Sequence, residues 1–303
     1  MTDSLLRRGQ YSLAPAQRRD VAEGLALCAL DPVTNVVPAM HLETASRAGV
    51  IPTGLWVVRK RGRVSRDLAG VIWCGANLTA VLPAGDDQET DNARAEVASS
   101  IVSRLSRPAA LVGEAALTLD LWGRVEAWWG PARQIRPSQV SMSIKAHPLA
   151  VAEAAVAAEP MRRATMADYD ALLPAAVHMF VGEVGYDPLT HGRDAYEDRL
   201  TRLVRQGHSY LRYGVVDGKR AVVFKAEVGV VGGKVAQIQG VWVHPVMRGR
   251  GLGTAGMADL VRHVRADHAP TVSLYVNDFN APALRAYETV GFERVGTFAT
   301  VMF

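Results

Sequence analysis

The amino-acid sequence predicts an α+β fold built twice, as two successive domains, each a mostly antiparallel mixed sheet flanked by helices. Length and composition allow it: 303 residues, 49% hydrophobic and 21% charged, suffice for two packed cores of ordinary size. Apolar runs rich in β-branched and aromatic residues alternate with stretches of helical periodicity, and Gly-containing turns separate them. The order of these runs recurs: helices, three strands, then helix, strand, helix, strand, once in each half, although residue identities do not repeat.

In the first half, the spacing predicts a helix over Leu13 to Ala29, capped by Ser12 and stopped at Asp31-Pro32. Asn35 to Ala48 reads as a second helix closed by Gly49. Leu55 to Lys60, Leu68 to Cys74 and Asn77 to Leu82 read as strands, the first two joined by the basic turn Arg59-Lys60-Arg61-Gly62-Arg63. After the loop Pro83 to Asp87, a helix is expected over Asn92 to Leu105, a short strand at Ala110 to Gly113, a helix over Leu117 to Trp129 and a strand over Gln134 to Ile144.

A linker, Ala146 to Pro160, divides a domain over 1–150 from one over 156–303; its Ala-rich middle, Leu149 to Glu159, is compatible with a spacer helix. Met161 to Ala164 begins the second half as a short strand, followed by helices over Asp168 to Val181 and Asp194 to Gln206 with the loop Glu183 to His191 between them. Ser209 to Val216 and Ala221 to Val230 form a hairpin around Asp217-Gly218, and Gly232-Gly233 turns the chain into the strand Gln237 to Val243. A helix over Thr254 to Arg265, a strand over Thr271 to Val276, a helix over Ala281 to Val290 and one or two closing strands over Arg294 to Phe303 complete the pattern.

His244-Pro245 stops the central strand, because proline offers no N–H to the ladder. Arg248-Gly249-Arg250-Gly251-Leu252-Gly253 then leads into the helix. Three glycines there let backbone N–H groups point outward at the positive end of the helix dipole, an arrangement that holds a phosphate or pyrophosphate. The spacing fits neither the dinucleotide fingerprint nor the phosphate loop ending in Lys-Ser/Thr. The order R-x-x-G-x-G after V-W-V-H-P instead resembles the acetyl-coenzyme A motif of the GNAT superfamily of N-acetyltransferases. A second signature, N-x-x-A-x-x-x-Y-E from Asn280 to Glu288 followed by Gly291-Phe292, is similar to the downstream motif of that family. The two together cover roughly the last half of the chain.

The resemblance implies a sheet splayed between its fourth and fifth strands, with acetyl-coenzyme A in the gap. The main chain of Val241, Trp242 and Val243 would bond the pantetheine arm as an added strand does. Backbone N–H groups of Gly249, Arg250, Gly251, Leu252, Gly253 and Thr254 would hold the pyrophosphate, with Arg248 and Arg250 as phosphate partners or merely solvated arginines. Asn280 would contact the pantetheine and also suits a helix N-cap before Ala281-Pro282. Tyr287 matches the tyrosine that acts as general acid toward the departing thiolate, and Val243 N–H is a candidate for the oxyanion.

The resemblance fails at the general base. The expected glutamate position falls on Gln237, which takes no proton but, with Gln239, could order a water that relays one. Glu227, set in the apolar run AVVFKAEVGVV beside Lys225, is the first substitute, and Glu183, in the expected loop along the acceptor site, the second. A two-residue Gly232-Gly233 turn would pair Glu227 with Ile238; an odd-length turn would set it opposite Gln237 or Gln239.

The expected activity is direct acetyl transfer from acetyl-coenzyme A to a primary amine through a ternary complex, that of an acyl-coenzyme A-dependent N-acyltransferase. The competing expectation is a non-catalytic acyl-coenzyme A sensor or scaffold. In the first half, the place of R-x-x-G-x-G is taken by the stretch Pro83 to Asp91, where Asp86, Asp87, Glu89 and Asp91 would repel a pyrophosphate. That half therefore looks like a degenerate GNAT copy serving packing, homodimerisation or the wall of the acceptor site; an unrelated accessory domain is the alternative. The tandem layout resembles mycothiol synthase, which makes a small-molecule amine one expected acceptor and a protein amine the other.

Cys28 and Cys74 follow no metal or disulfide spacing, which favours a reducing, cytoplasmic setting. His178, His191 and His208 read as surface or loop histidines without metal-ligand grouping, so no metal is expected. No apolar run reaches membrane-spanning length, and the first ten residues lack the apolar core of a signal peptide. Net charge is +4 at a pI near 9.2, and the basic turn lacks interleaved aromatics, so it reads as solvated rather than as a nucleic-acid patch.

Overall fold

The computed structural model describes residues 9–61, 66–85, 87–152, 154, 157–190 and 192–303. In chain order its elements are β1 (Tyr11–Pro15), α1 (Asp20–Cys28), α2 (Val36–Ala48), β2 (Leu55–Arg61), β3 (Arg66–Cys74), β4 (Asn77–Val81), α3 (Gln88–Arg104), β5 (Ala110–Glu114), α4 (Ala115–Trp129) and β6 (Gln134–Ile144). There follow β7 (Arg162–Arg163), α5 (Tyr169–Val184), α6 (Arg193–Arg205), β8 (Ser209–Val216), β9 (Lys219–Gly232), β10 (Val235–Val243), α7 (Leu252–Asp267), β11 (Thr271–Asn277), α8 (Ala281–Val290) and β12 (Glu293–Met302). They group into two compact units, Met1–Val140 with Gly296–Phe303, and Ser141–Val295.

In the first unit the pairs β1–β2, β2–β3 and β3–β4 are antiparallel, β4–β5 is parallel, and β12 runs antiparallel beside β5 from Phe298↔Glu114 to Met302↔Ala110. Alternation of side chains splits its apolar residues between two faces. Val57 and Val71 pack with Leu42 and Ala39 of α2 on one face, while Val58 and Ile72 pack with Ile101 of α3 and Val125 of α4 on the other. The helix expected over Leu13 to Ala29 is a correction: residues 11–15 are strand, paired from Tyr11↔Lys60 to Pro15↔Trp56, and the helix begins at Asp20. Tyr11 and Leu13 alternate inward, a two-residue period that the longer helical stripe downstream concealed.

The second unit repeats the pairing sense. The pairs β7–β8, β8–β9 and β9–β10 are antiparallel, β10–β11 is parallel, and β6 lies next to β11. Helices α5 and α6 cover one face through Leu172, Ala176, Leu200 and Val204, which pack on Leu211, Tyr213 and Trp242. On α7, Gly256 lets the helix lie on Phe224: a Cβ there would stand 2.5 Å from that buried ring. The described residues between Leu149 and Glu159 form no helix, contrary to the spacer expectation; Ala158 makes a single bridge to Gly214. Residues 62–65 of the basic turn, Asp86 and His191 lie outside the described residues. Among those described, no helix is long and apolar enough to cross a membrane.

Candidate active site

The site of interest grows from an interruption in the second unit's sheet. Strand β10 pairs with β11 only from Val235↔Thr271 to Gln237↔Ser273, and past that point no residue pairs join them. The backbone of Val241, Trp242 and Val243 therefore lies beyond the last rung, on a strand edge open to another extended chain. A bulge interrupts the β9 side between Gln239 and Trp242, where Gly240 takes a φ of 59°. A side chain there would be strained by that φ and crowded, its Cβ 3.1 Å from Met179 and 3.3 Å from the Glu227 carboxylate. The first unit shows the same parting, with β4 and β5 paired only at Asn77↔Ala110 and Leu78↔Leu111.

The helix that follows each parting distinguishes the two units. After β10, Pro245–Met247 form one 3₁₀ turn, and Gly249 and Gly251 adopt φ of 73° and 79°. Gly251 is the N-cap of α7 and no side chain caps it, so the N–H groups of Leu252, Gly253 and Thr254 remain available to an anion. After β4 the helix caps itself: Asp87 accepts from Thr90 N at 2.9 Å and Thr90 Oγ1 at 2.8 Å, and these bonds hold its carboxyl below the usual carboxylate range. Glu89 pairs with Lys60 and Asp91 with Arg124, which completes an acidic collar at that helix start. Arg250 is exposed beside the glycine turn, whereas Arg248 folds back and donates from Nε to Val243 O at 3.2 Å.

Tyr287 is buried in α8, its ring tilted on Phe292. Burial, and then the charge of Glu183, push its hydroxyl above its ordinary range, so it carries its proton at neutral pH. Glu183 itself lies in the last turn of α5, not in a loop, because the helix continues to Val184 before Gly185 ends it at φ 87°. Asn280 caps α8, accepting from Ala283 N at 3.3 Å. Gln237 stands opposite Ser273 at the last β10–β11 rung.

Glu227 faces Gln239. The β9–β10 turn is Gly233-Lys234, with Val235↔Gly232 as its first pair, and a one-residue bulge at Gly229 brings Glu227 into that register. Gly229 is small enough for the Gln239 side chain to lie over it. The Glu227 carboxylate is 1% exposed and held from both sides, by the fully buried Lys225 ammonium and by Arg199 Nη2 of α6 at 2.9 Å. Burial pushes its pKa up, but the two cations outweigh burial and keep it below the usual range. Lys225 was expected as a partner; Arg199 was not, although it stands on α6 next to the inward Leu200. His178 is exposed on α5, a surface position as expected, and accepts at Nδ1 from Trp242 Nε1 at 3.1 Å. It also lines an open apolar groove of about 560 Å3 along α5, with Leu173, Val177, Val181 and Leu189. Among the described residues no cluster of His, Cys, Asp or Glu could hold a metal.

Residues 183–292, which contain the open strand edge, the uncapped helix and Tyr287, match the acetyltransferase (GNAT) family. The chain carries a GNAT acetyltransferase domain. Residues 54–172 match a domain of unknown function (DUF4081). The GNAT portion is similar to curated mycothiol acetyltransferases, 46% identical over 55 residues in Acidothermus cellulolyticus and 40% over 60 residues in Thermomonospora curvata. Those segments span 18% and 20% of this chain, and 17% and 20% of the relatives' own lengths. Among solved structures, a Drosophila protein shares the fold at TM-score 0.64 and 14% identity, covering 96% of this chain and 98% of that one. A GCN5-related N-acetyltransferase from Sphaerobacter thermophilus shares it at TM-score 0.52 and 15% identity, covering 97% and 96%. The GNAT fold thus accounts for both units, as their repeated pairing sense suggests.

Proposed function

We propose that the second unit transfers an acetyl group from acetyl-coenzyme A directly to a primary amine. The observation that carries this reading is the open edge of β10 leading straight into an uncapped helix start. An extended pantetheine arm needs the former and a pyrophosphate the latter, and both occur on one continuous stretch, Val241 to Thr254. When bound, the coenzyme supplies an acetyl group already activated as a thioester. The residues of this chain do the rest. Tyr287, kept protonated by its surroundings, gives a proton to the leaving sulfur. Val243 N–H, just past the bulge at Gly240, is the donor proposed for the carbonyl oxygen.

Glu183 is the base we favour, because it acts electrostatically on Tyr287 and therefore lies near the reacting centre. Glu227 remains the alternative, but two cations lower its affinity for a proton, which suits it to fixing Arg199 and the bulge. Gln237, opposite Ser273 at the last β10–β11 rung, is proposed to order a relaying water. The first unit, with its helix start closed by Asp87, is proposed to bind no coenzyme and to serve packing or association. The names of the curated relatives favour a small-molecule acceptor over a protein amine, and a cytoplasmic setting fits a chain with two unpaired cysteines.

The test is thiol release from acetyl-coenzyme A across a panel of small amines and amine-bearing peptides, with Tyr287→Phe and Glu183→Gln alongside. Loss of about 10²-fold or more in kcat for each variant, with coenzyme affinity retained, is expected for a proton donor and acceptor. Coenzyme binding without thiol release on any amine would transfer the reading to a non-catalytic acyl-coenzyme A sensor.

A further inference from the structure

The groove along α5 is apolar where a helix face turned to water is ordinarily polar. Leu173, Val177 and Val181 follow one another at intervals of four and form one ridge, and Pro174, His178 and Gly182 form the ridge beside it. Leu189, from the segment after the helix, adds to the lining. Leu173, Val177 and Leu189 are half-buried because they also pack on the core beneath α5, so the fold fixes this part of the lining. Val181 is 40% exposed, and a Cβ added at Gly182 would meet nothing within 4 Å, so that end is open. No Lys, Arg, Asp or Glu is among the lining residues, and His178 is the polar one. From Leu173 to Gly182 the helix rises about 14 Å, and a volume of about 560 Å3 is that of a small organic ligand's site. The groove also adjoins the proposed transfer site. His178 holds the indole of Trp242, whose main chain lies on the open edge of β10, and Gly182 is followed directly by Glu183.

We propose that this groove holds the apolar part of the acceptor, which is therefore a primary amine bearing an alkyl or arylalkyl group rather than a polyhydroxylated or charged one. This rests on the acetyltransferase reading and supplies its substrate class. The lining decides the class. A hydroxylated or ionised group laid between these ridges would give up water and find one polar side chain in return, whereas every methylene laid there leaves water at a gain. The helix also sets the ligand's direction. With its apolar end toward Leu173, the amine emerges at the open Gly182 end, beside the residue proposed as base. His178 contributes position rather than chemistry. Its Nδ1 accepts from Trp242, so the neutral ring carries its proton on Nε2, and the bond ties the groove to the reacting strand.

The test uses the full chain and two readouts. In the first, kcat/KM for thiol release is followed along the series n-propylamine to n-hexylamine, and should rise about two- to four-fold per added methylene. Val181→Asn, a change at an exposed position that the fold tolerates, should flatten that rise. The second readout needs no reaction: n-hexanol, which has the chain but no amine, is titrated against the protein while the Trp242 indole N–H is followed by nuclear magnetic resonance. The signal should move in wild type, because His178 accepts that proton, and Val181→Asn should need several-fold more alcohol for the same shift. A flat amine series, an indole signal that n-hexanol leaves in place, or a wild-type slope in Val181→Asn overturns the proposal. So does a concentration-dependent dimer that Val181→Asn dissociates and n-hexanol does not, since a second copy would then cover the groove. Failure of the acetyltransferase reading looks different: n-hexanol moves the indole signal in a Val181-dependent way, yet no amine releases thiol. That result overturns the acceptor assignment with it and leaves the groove an apolar site of another kind.

Discussion

Replacing Lys225 by methionine tests the most enclosed feature of the second unit. The ammonium is 0% exposed and the Glu227 carboxylate 1%, so Lys225→Met leaves a buried negative charge with Arg199, itself 37% exposed, as its cationic partner. Breaking a buried pair costs about 3–5 kcal/mol, and the surviving Arg199 contact places the expected loss near 3 kcal/mol. For a unit of this size that is roughly 6–12 °C in the melting transition. Urea unfolding of wild type, Lys225→Met, Glu227→Gln and the double variant would close a cycle. The double variant should recover most of the loss, because neither charge is then left alone. The pH dependence has a definite sign. Glu227 is held below its ordinary value of 4.5 in the folded state, so its stabilisation is complete above that pH and fades as pH falls through the folded value. The advantage of wild type over the double variant should shrink accordingly in acid. A Lys225→Met cost under about 1 kcal/mol, or a double variant as unstable as the summed singles, would refute the view that this carboxylate depends on its cations.

The remaining predictions concern each unit's packing. His41 stacks on Trp73 with ring centroids 3.3 Å apart, and burial lowers its pKa from 6.5 to about 4. Between those values the unfolded chain takes up a proton that the folded one refuses, so stability of the first unit should fall as pH drops through that window, and His41→Phe should flatten the slope in urea titrations at several pH values. Gly256→Ala drives a Cβ to 2.5 Å from the Phe224 ring. It should cost about 1–3 kcal/mol by urea unfolding and weaken coenzyme binding by calorimetry, because α7 must lift its N-terminus from the sheet.

What could be read from the sequence was local. Glycines at 249 and 251, the Asn280-Ala281-Pro282 cap and the Asp217-Gly218 hairpin are specified by a few adjacent residues, and each appears in the structure where its chemistry placed it. What could not be read depends on distant partners. Tyr11 to Pro15 is a strand because β2 lies beside it, and its two-residue alternation, only five residues long, is overshadowed by the helical stripe that follows. The facing of Glu227 and Gln239 turns on a single bulge at Gly229, a one-residue slip that reverses every facing beyond it. Arg199 gains its meaning only when α6 packs over β9, although an arginine adjoining the buried stripe of an otherwise regular amphipathic helix was a visible signal. Glu183 was misplaced for a simpler reason: the helix expected to end at Val181 continues to Val184, and the left-handed residue that ends it is Gly185.

The position of β12 in the first unit bears on how this protein is made. Gly296–Phe303 closes the sheet beside β5, yet these residues are synthesised after the whole of the second unit. At about 5–20 residues per second, the interval from residue 140 to residue 296 lasts roughly 8–30 s, during which β5 presents an unsatisfied edge to solvent or to a chaperone. The half emerging first from the ribosome is therefore the half completed last, and a nascent chain stalled before residue 296 should retain a protease-sensitive first unit however well the second has folded.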